Sequence, residues 1–280
     1  MRYLISGSGG QLATEIIRLL RERSVEFEAL KKAEFDITSQ AKVSAVMQAC
    51  RPDVVINCAA YNAVDEAEDQ WRQAYMINGV GVRNLANESR KLGCVLVHFS
   101  TDYVFDGAKA SPYTIVDRPA PENRYGESKL LGERYVRDLM ERFFLVRLSW
   151  VFGKGEFSFP RKVLQWAAKS DKLRIVDDQV SSPAYAEHLA GAVLDLIGTG
   201  AFGLYHMTNK GHCTRYKWAE HILRKIGWQG ELLPAKSAEF NTQAKRPPFS
   251  ALENFPLEET LGYALPSWQE ATEEFLRVER

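Results

Sequence analysis

The sequence lacks an excess of charge of either sign: its 280 residues include 36 Lys and Arg residues and 36 Asp and Glu residues. A chain without net charge has no general attraction to nucleic acid or to an anionic membrane surface. It also lacks long apolar runs, since the opening segment MRYLISGSGG breaks at glycines before it is long enough for a signal peptide or a membrane helix. We therefore expect no nucleic-acid partner and no membrane partner.

Cysteine and histidine are also scarce. No two of the four cysteines form a C-x-x-C pair, and no two of the five histidines form an H-x-x-x-H pair. Both patterns are common signatures of bound zinc, so we predict no zinc site. Cysteines in such apolar or small-residue surroundings are typical of reduced thiols in a soluble cytoplasmic protein. The cysteines are Cys50, Cys58, Cys94 and Cys213.

The first half of the chain alternates short apolar runs with segments of helical periodicity. The apolar run RYLIS precedes a glycine turn, and the next segment, QLATEIIRLLRER, carries its leucines and isoleucines at helical spacing. The runs PDVVINCAA, CVLVHFST and FFLVRLSWVFG show no clean polar alternation, which is typical of strands covered on both faces. Strands that alternate with crossover helices predict an α/β fold with a doubly wound, Rossmann-type parallel sheet.

The second half is smaller and richer in loops. Two segments repeat the plan of strand, loop and helix, and a proline-rich segment, AEFNTQAKRPPFSALENFPLEETLG, follows them. We therefore divide the chain into a first part at residues 1–153 and a smaller, loop-rich part at residues 154–280. The division allows the chain to cross between the two parts.

The glycine turn GSGGQLA lies directly between the first strand and the first helix. Gly7 and Gly10 allow a tight turn in which backbone N–H groups at the helix N-terminus meet a pyrophosphate, and Ala13 keeps the helix close to the strand. An ordinary glycine-rich turn is the alternative. Because the turn belongs to the first βα unit, we interpret residues 1–153 as an NAD(P)-binding Rossmann domain.

The end of the second strand bears on the choice of cofactor. The strand EFEAL is followed by Lys31 and Lys32, where an acidic residue often binds the ribose of NADH. Two lysines suit the 2′-phosphate of NADPH, although a solvated turn explains them equally well. We expect NADPH rather than NADH, by a small margin, and expect Asp36 to lie near the adenine.

A possible reaction centre follows the next buried strand, in the segment HFSTDYVFDG. Ser100, Thr101 and Asp102 end a strand of the sheet, and ligands of open α/β folds bind at that edge. Tyr125 and Lys129, in YGESK, share one helix face. An ammonium group near a phenol favours the phenolate, so we predict that the pKa of Tyr125 falls below its ordinary value of about 10 and that Tyr125 acts as a general acid.

Together these motifs resemble the extended short-chain dehydrogenase/reductases. The segments GGQLA, PDVVINCAAYNAVDEAE, STDYVFDG, PYTIVDRPAPENRYGESKLLGE, RLSWVFG, VDDQVSSPAYAEHLA and KRPPFSALEN resemble, more closely, the family of dTDP-4-dehydrorhamnose reductases. The resemblance covers nearly the whole chain. It implies reduction of the C4 ketone of dTDP-4-dehydro-L-rhamnose by NADPH or NADH, which gives dTDP-L-rhamnose.

The resemblance also implies roles for individual residues. Thr101 would hold the substrate carbonyl, Tyr125 would supply the proton, and Lys129 would bind the nicotinamide ribose. Asp102, Trp150 and Arg246 would join Thr101 in binding the substrate. The cofactor would contact Gly7, Gly10, Gln11, Leu12, Lys31, Asp36, Ile37, Ala59, Ala60, Tyr61, Ser100, Tyr125 and Lys129.

Some positions depart from the pattern of the resembled family. Ala184, His188 and Glu253 stand where threonine, aspartate and aspartate are usual, and all three lie in the half that would select the sugar. A reductase or epimerase of another nucleotide sugar therefore remains an alternative, as does a non-catalytic, NADP-binding regulatory subunit of the same fold. The resemblance is compatible with a homodimer and with Mg²⁺ near a subunit interface, for which Glu15 is the candidate ligand.

Overall fold

The computed structural model describes residues 1–155 and 158–279, in which strands and helices alternate. The strands are β1 (Tyr3–Ser6), β2 (Phe27–Leu30), β3 (Val54–Asn57), β4 (Val95–Thr101), β5 (Phe143–Leu148), β6 (Val151–Phe152), β7 (Lys172–Val176), β8 (Val180–Ser181), β9 (Ala184–Tyr185), β10 (Gly203–His206), β11 (Cys213–Thr214) and β12 (Glu231–Ala235). The helices are α1 (Gln11–Glu22), α2 (Gln40–Cys50), α3 (Glu66–Asp69), α4 (Trp71–Tyr75), α5 (Val82–Leu92), α6 (Arg124–Leu139), α7 (Phe159–Ala167), α8 (Ala186–Thr199), α9 (Arg215–Lys225), α10 (Leu257–Leu261) and α11 (Trp268–Glu279). Single helical turns occur at Met76–Gly81, Asp102–Val104 and Ser237–Glu239.

Six strands form one parallel sheet, in the order β10, β5, β4, β3, β1, β2. The chain passes from β1 to β2 on one side and then to β3, β4 and β5 on the other, so its winding reverses between β1 and β3. This is the doubly wound α/β fold that the sequence predicts. Ligands of such sheets bind outside the carboxyl ends of the strands, near the point of reversal.

Both faces of the sheet are covered by helices. In β1, Tyr3 and Ile5 belong to a core that includes α1 and α8, whereas Leu4 belongs to a core that includes α2, α5 and α6. All residues of β1, β3 and β4 are buried. Because successive side chains of a strand point to opposite faces, a strand buried on both sides has no polar face, which explains the apolar runs in the sequence.

The second half of the chain contributes to this sheet. Strand β10 pairs with β5 through residues 203–206 and 144–147, and α8 packs on α1 within the same core. The chain thus crosses back to the first part after residue 153, as the division of the sequence allowed. Outside this sheet, the described residues form three two-stranded sheets and a separate core around Phe152, Tyr185, Trp218 and Phe275.

One long helical segment is interrupted. The segment from Trp71 to Leu92 begins as α4 and ends as α5 at Gly93, which has φ of 70° and caps the helix. Between them lies a π-helical turn at Met76–Gly81, in which Asn78 is buried. Such turns are frequent at functional sites. None of the helices in the described residues combines the length and apolar character that a membrane crossing requires.

Candidate active site

The glycine turn after β1 lies directly against the backbone that follows β3. Gly7 has φ of 68°, and a Cβ atom on it would lie 2.6 Å from the backbone nitrogen of Ala59. No other residue type fits at Gly7, since the backbone of the next strand occupies the space. The turn leads into α1, whose first residue follows Gly10 without a side-chain cap. The first N–H groups of α1 therefore have no partner within the helix, as an anion-binding turn requires.

Three predicted cofactor residues carry buried polar atoms without a hydrogen-bond partner in the structure. They are the side-chain oxygen of Gln11, the phenol of Tyr61 and the hydroxyl of Ser100. These residues follow or end β1, β3 and β4, which place them along the same sheet edge. Buried polar groups are nearly always paired, so three unsatisfied groups along one edge fit a polar ligand that lies across it.

Asn78 holds this edge in place, although no pattern in the sequence indicates it. Its side chain accepts a hydrogen bond from the backbone N–H of Tyr61 at 2.9 Å and donates to the carbonyl of Tyr61 at 3.0 Å. It also donates to the hydroxyl of Ser128 at 2.9 Å. The π-helical turn thus ties the segment after β3 to α6, the helix of Tyr125 and Lys129.

Helix α6 carries the predicted reactive pair to the end of β4. Asn123 caps the helix, accepting a hydrogen bond from the N–H of Gly126 at 2.8 Å. One residue of the pair, Lys129, is buried and donates to the carbonyl of Phe99 in β4 at 2.6 Å. The phenol of Tyr125 interacts with the hydroxyl of Thr101. The structure therefore brings Thr101, Tyr125 and Lys129 together, as the sequence predicts.

The predicted pKa of Tyr125 is wrong in this structure. Burial raises the pKa of Tyr125 above its ordinary value, the charges of Asp102 and Tyr103 act in the same direction, and the hydrogen bond from Thr101 opposes them only in part. Burial also lowers the pKa of Lys129 to about 8. The prediction rested on the charge of Lys129, whereas desolvation is the largest cause of the pKa shift for both members of the pair. Tyr125 is consequently a protonated phenol at neutral pH.

Asp102, which the resemblance assigns to the substrate, is buried and hydrogen-bonded within the protein. Its side chain is 2% exposed, and one carboxylate oxygen accepts hydrogen bonds from Ser250 at 2.5 Å and Ser181 at 2.9 Å. The other accepts from Thr101 at 3.1 Å. Burial raises the pKa of Asp102, and the three hydroxyl groups oppose that rise. Asp102 joins β4 to the second half of the chain and orients the hydroxyl of Thr101.

Trp150 lies at the carboxyl end of β5, with φ of 39° in the left-handed region. Its ring stacks on the guanidinium group of Arg215, which lies 3.5 Å from the ring centroid, and is parallel to the ring of Trp218. These rings line a cavity of about 260 Å³. Its other lining residues are Val151, Phe159, Lys162 and Trp166. The sequence analysis predicts Trp150 as a substrate-binding residue, but no pattern in the sequence indicates Arg215, which is 65 residues away.

Arg246 reaches the same crevice but is held by an acid. Its two terminal nitrogens donate to the two carboxylate oxygens of Asp65, at 3.0 and 2.6 Å. Its guanidinium group also interacts with Tyr103, whose ring lies 6.0 Å from that of Tyr125. The predicted substrate residue Arg246 thus lies near the reactive pair, with its terminal nitrogens engaged by Asp65.

The adenosine end of the predicted cofactor site is more open. Lys31 and Lys32 are exposed directly after β2. The carboxylate of Asp36 accepts two hydrogen bonds from Thr38, which lower its pKa. Ile37 is buried beneath the loop, 3% exposed. The two lysines are therefore available to a ligand. One carboxylate oxygen of Asp36, by contrast, is already hydrogen-bonded within its own turn.

Glu15 is engaged by cations of the protein. Its carboxylate accepts a hydrogen bond from Arg18 at 2.8 Å and has Lys154 at 3.9 Å. Within residues 1–155 and 158–279, no group of three acidic, histidine or cysteine side chains is arranged to hold a metal ion. Glu15 thus has a structural partner, and the structure adds no support for it as a Mg²⁺ ligand.

Comparison with known proteins agrees with this arrangement. The family model described as the RmlD substrate binding domain matches residues 1–280. The chain is 37% identical to the spore coat polysaccharide biosynthesis protein SpsK of Bacillus subtilis, over 99% of this chain and 97% of that protein.

Two solved structures extend the match to three dimensions. A dTDP-4-dehydrorhamnose reductase of Clostridium acetobutylicum has a TM-score of 0.96 and 36% identity, over 100% of this chain and 99% of the other. The enzyme of the same name from Bacillus anthracis, in complex with NADP, has a TM-score of 0.95 and 35% identity, over 100% and 99%. The chain belongs to the family of dTDP-4-dehydrorhamnose reductases.

Proposed function

We propose that this protein reduces the C4 ketone of dTDP-4-dehydro-L-rhamnose to the alcohol, giving dTDP-L-rhamnose in the last step of its biosynthesis. The observation that carries the proposal is the convergence of Thr101, Tyr125 and Lys129 at the carboxyl end of β4. A ketone reductase needs a proton donor beside the carbonyl and a cofactor on the other side, and this crevice offers places for both.

The sheet edge fits a nicotinamide dinucleotide. The first turn of α1, beyond Gly7 and Gly10, would hold the pyrophosphate, with Gln11 and Leu12 beside it. Ala59, Ala60 and Tyr61 would line the middle of the cofactor, and Ser100 with Lys129 would hold its nicotinamide end. The partnerless polar atoms of Gln11, Tyr61 and Ser100 support this placement. When bound, the reduced cofactor supplies the hydride.

Tyr125 would act as the general acid. During reduction, negative charge would develop on the carbonyl oxygen, and the phenol of Tyr125 would donate its proton there. The raised pKa of Tyr125 keeps that proton in place at neutral pH. Thr101 would lie beside the carbonyl and the phenol. In the structure its hydroxyl donates to Asp102, so the hydroxyl proton would have to turn toward the carbonyl oxygen to hold the substrate.

The lysines after β2 support NADPH as the preferred cofactor. A 2′-phosphate carries negative charge that exposed ammonium groups attract, whereas the 2′-hydroxyl of NADH offers them little. The relative from Bacillus anthracis was solved with NADP. In this proposal Lys31 is the contact, and Asp36 and Ile37 form the floor of the adenosine site.

Two of the three positions that depart from the family pattern have structural roles. Ala184 is buried in the core beside β1, and His188 bonds to Asn209 and Glu274 at 3.0 and 2.8 Å. Glu253 is exposed. A non-catalytic regulatory subunit would not need Thr101, Tyr125 and Lys129 to converge, so the geometry favours the enzyme.

The test is to follow oxidation of NADPH and NADH at 340 nm with dTDP-4-dehydro-L-rhamnose and with UDP- and GDP-linked keto sugars. We expect turnover of the dTDP sugar with NADPH to exceed that of the others. Faster turnover of a UDP or GDP sugar would contradict the substrate, and no turnover of any keto sugar despite cofactor binding would contradict the enzyme.

A further inference from the structure

The arginines of this protein differ in the groups that neutralise their positive charge. Arg147 is 1% exposed and donates twice to Glu133, at 2.8 and 2.7 Å. Arg161 and Arg246 are likewise held by both oxygens of an acid. For Arg215, by contrast, no carboxylate of residues 1–155 or 158–279 lies within 4 Å, and its close contacts are the rings of Trp150, Phe159 and Trp218.

Such a guanidinium group is suited to an anion. Stacking on Trp150 fixes its plane and leaves the N–H edge directed away from the ring face, where it can make two parallel hydrogen bonds to a phosphate. Arg215 is half-buried, and no side-chain nitrogen of Arg215 is among the buried atoms without a partner. Among residues 1–155 and 158–279 its side-chain nitrogens also make no hydrogen bond to the protein, so they retain contact with solvent. Burial lowers the pKa of Arg215 to about 10. Because this value is still well above neutral pH, Arg215 remains cationic.

The cavity beside Arg215 has the character of one end of a ligand site. It contains a second cation, Lys162, and none of its described lining residues is acidic. Its volume of about 260 Å³ is below the usual range of about 300 to 1,000 Å³ for a site that encloses a whole ligand. Aromatic walls exclude water and thereby strengthen an ion pair.

The location of the cavity indicates which end of the substrate it receives. Trp150 follows β5 by two residues, β5 pairs with β4, which ends at Thr101, and Arg215 interacts with the charges of Tyr103 and Asp102. An anion bound at Arg215 would therefore lie on the side of the crevice where β4 ends. Arg246, which the family resemblance had assigned to the substrate, is already held by Asp65.

We propose that Arg215, stacked on Trp150 and assisted by Lys162, binds the diphosphate of the nucleotide-sugar substrate. The inference rests on the proposed function only in that the substrate carries a nucleoside diphosphate. Arg215 acts as a specificity residue, because a neutral glycoside of the same sugar would leave its donors unpaired.

The test uses dTDP and thymidine as probes, titrated into the whole protein by calorimetry. The variant is Arg215→Gln, and the matched control is Arg224→Gln, which removes the same charge from an exposed position on the same helix. We expect Arg215→Gln to weaken dTDP binding about tenfold or more, to change thymidine binding less than about twofold, and to leave NADPH binding intact. Arg224→Gln should bind dTDP as the parent protein does.

Two results would overturn the proposal. Equal dTDP affinity in Arg215→Gln and Arg224→Gln would remove Arg215 from the site. Equal weakening of dTDP and thymidine would show that Arg215 only supports the ring of Trp150. Arg215→Lys guards against a folding defect: it keeps the charge without the planar fork and should recover part of the dTDP affinity. Since binding needs no turnover, these outcomes are independent of whether dTDP-4-dehydro-L-rhamnose is reduced.

Discussion

The glycine turn after β1 and the aromatic cavity after β5 both lie at carboxyl ends of the same parallel sheet, yet they are built differently. At the turn, backbone meets backbone, and a Cβ atom on Gly7 would lie 2.6 Å from the nitrogen of Ala59. At the cavity, side chains meet: Trp150, Phe159 and Arg215 come from three separate elements. The first region is encoded in seven consecutive residues, whereas the second exists only after folding.

This difference explains what each region can specify. Many enzymes bind the same dinucleotide, so a site made of backbone groups can bind it without contacts from particular side chains. A sugar nucleotide varies between enzymes of the same fold, and side chains gathered from distant segments can vary with it. Substitutions in the first region should therefore affect stability and cofactor binding together, and those in the second should change binding of the substrate alone.

The largest effect is expected for Gly7→Ala. The new Cβ atom overlaps backbone that cannot rotate away, and alanine is disfavoured in the left-handed region, so the free energy of unfolding should fall by about 3 to 5 kcal/mol. NADPH binding should be lost with it. Urea denaturation and NADPH fluorescence measure both. Gly9→Ala is the control, because a Cβ atom there meets no atom within 4 Å, and similar losses in both variants would contradict the close-approach argument.

Lys129→Met tests the residue that lies between the two regions. The folded chain releases the Lys129 proton near pH 8, whereas the unfolded chain holds it to about pH 10.5. Folding is therefore penalised below pH 8, and the penalty disappears as pH rises through this interval. We expect the parent protein to gain up to about 3 kcal/mol of unfolding free energy relative to Lys129→Met between pH 7 and pH 10. Parallel curves of unfolding free energy against pH for the two proteins would show that burial does not control the pKa of Lys129.

Tyr125→Phe removes the proton donor while leaving the ring. Turnover should fall about a hundredfold or more, which corresponds to about 2.7 kcal/mol in the barrier, and NADPH affinity should be unchanged. Single-turnover kinetics separate the two. Tyr135→Phe, ten residues further along α6, should retain full turnover. Near-normal turnover in Tyr125→Phe would remove Tyr125 from the mechanism.

The smallest effect is expected for the double variant Lys31→Ala with Lys32→Ala. Both lysines are exposed, so salt screens their attraction for a phosphate and the loss in NADPH affinity should be about fivefold. NADH affinity should stay within about twofold. An equal change for both cofactors would assign the lysines to a solvated turn, and raising the salt concentration should erase the difference in the parent protein.

The sequence predicts the parts of this protein that depend on local order. Strands β1, β3, β4 and β5 and the glycine turn follow from periodicity and from residue types at adjacent positions. The convergence of Tyr125 and Lys129 with Thr101 follows from a general rule, since carboxyl ends of parallel strands share an edge.

Other features depend on distance in space. The π-helical turn at Asn78 leaves no mark in the pattern of apolar residues, and the pairing of Arg215 with Trp150 joins positions 65 residues apart. The predicted direction of the Tyr125 pKa shift is wrong because the sequence indicates which charged groups are neighbours but not how completely those groups are desolvated. Burial, rather than the spacing of Tyr125 and Lys129 in the sequence, determines the direction of the pKa shift.

The crossing of the chain back into the first sheet also shapes how the protein is made. During synthesis, α1 leaves the ribosome more than 160 residues ahead of α8, the helix that covers its apolar face. Strand β5 likewise waits about 55 residues for β10. The nascent first half therefore exposes one face of its sheet until residue 206 has emerged, and chains halted after residue 153 should be substrates for chaperones rather than a working cofactor domain.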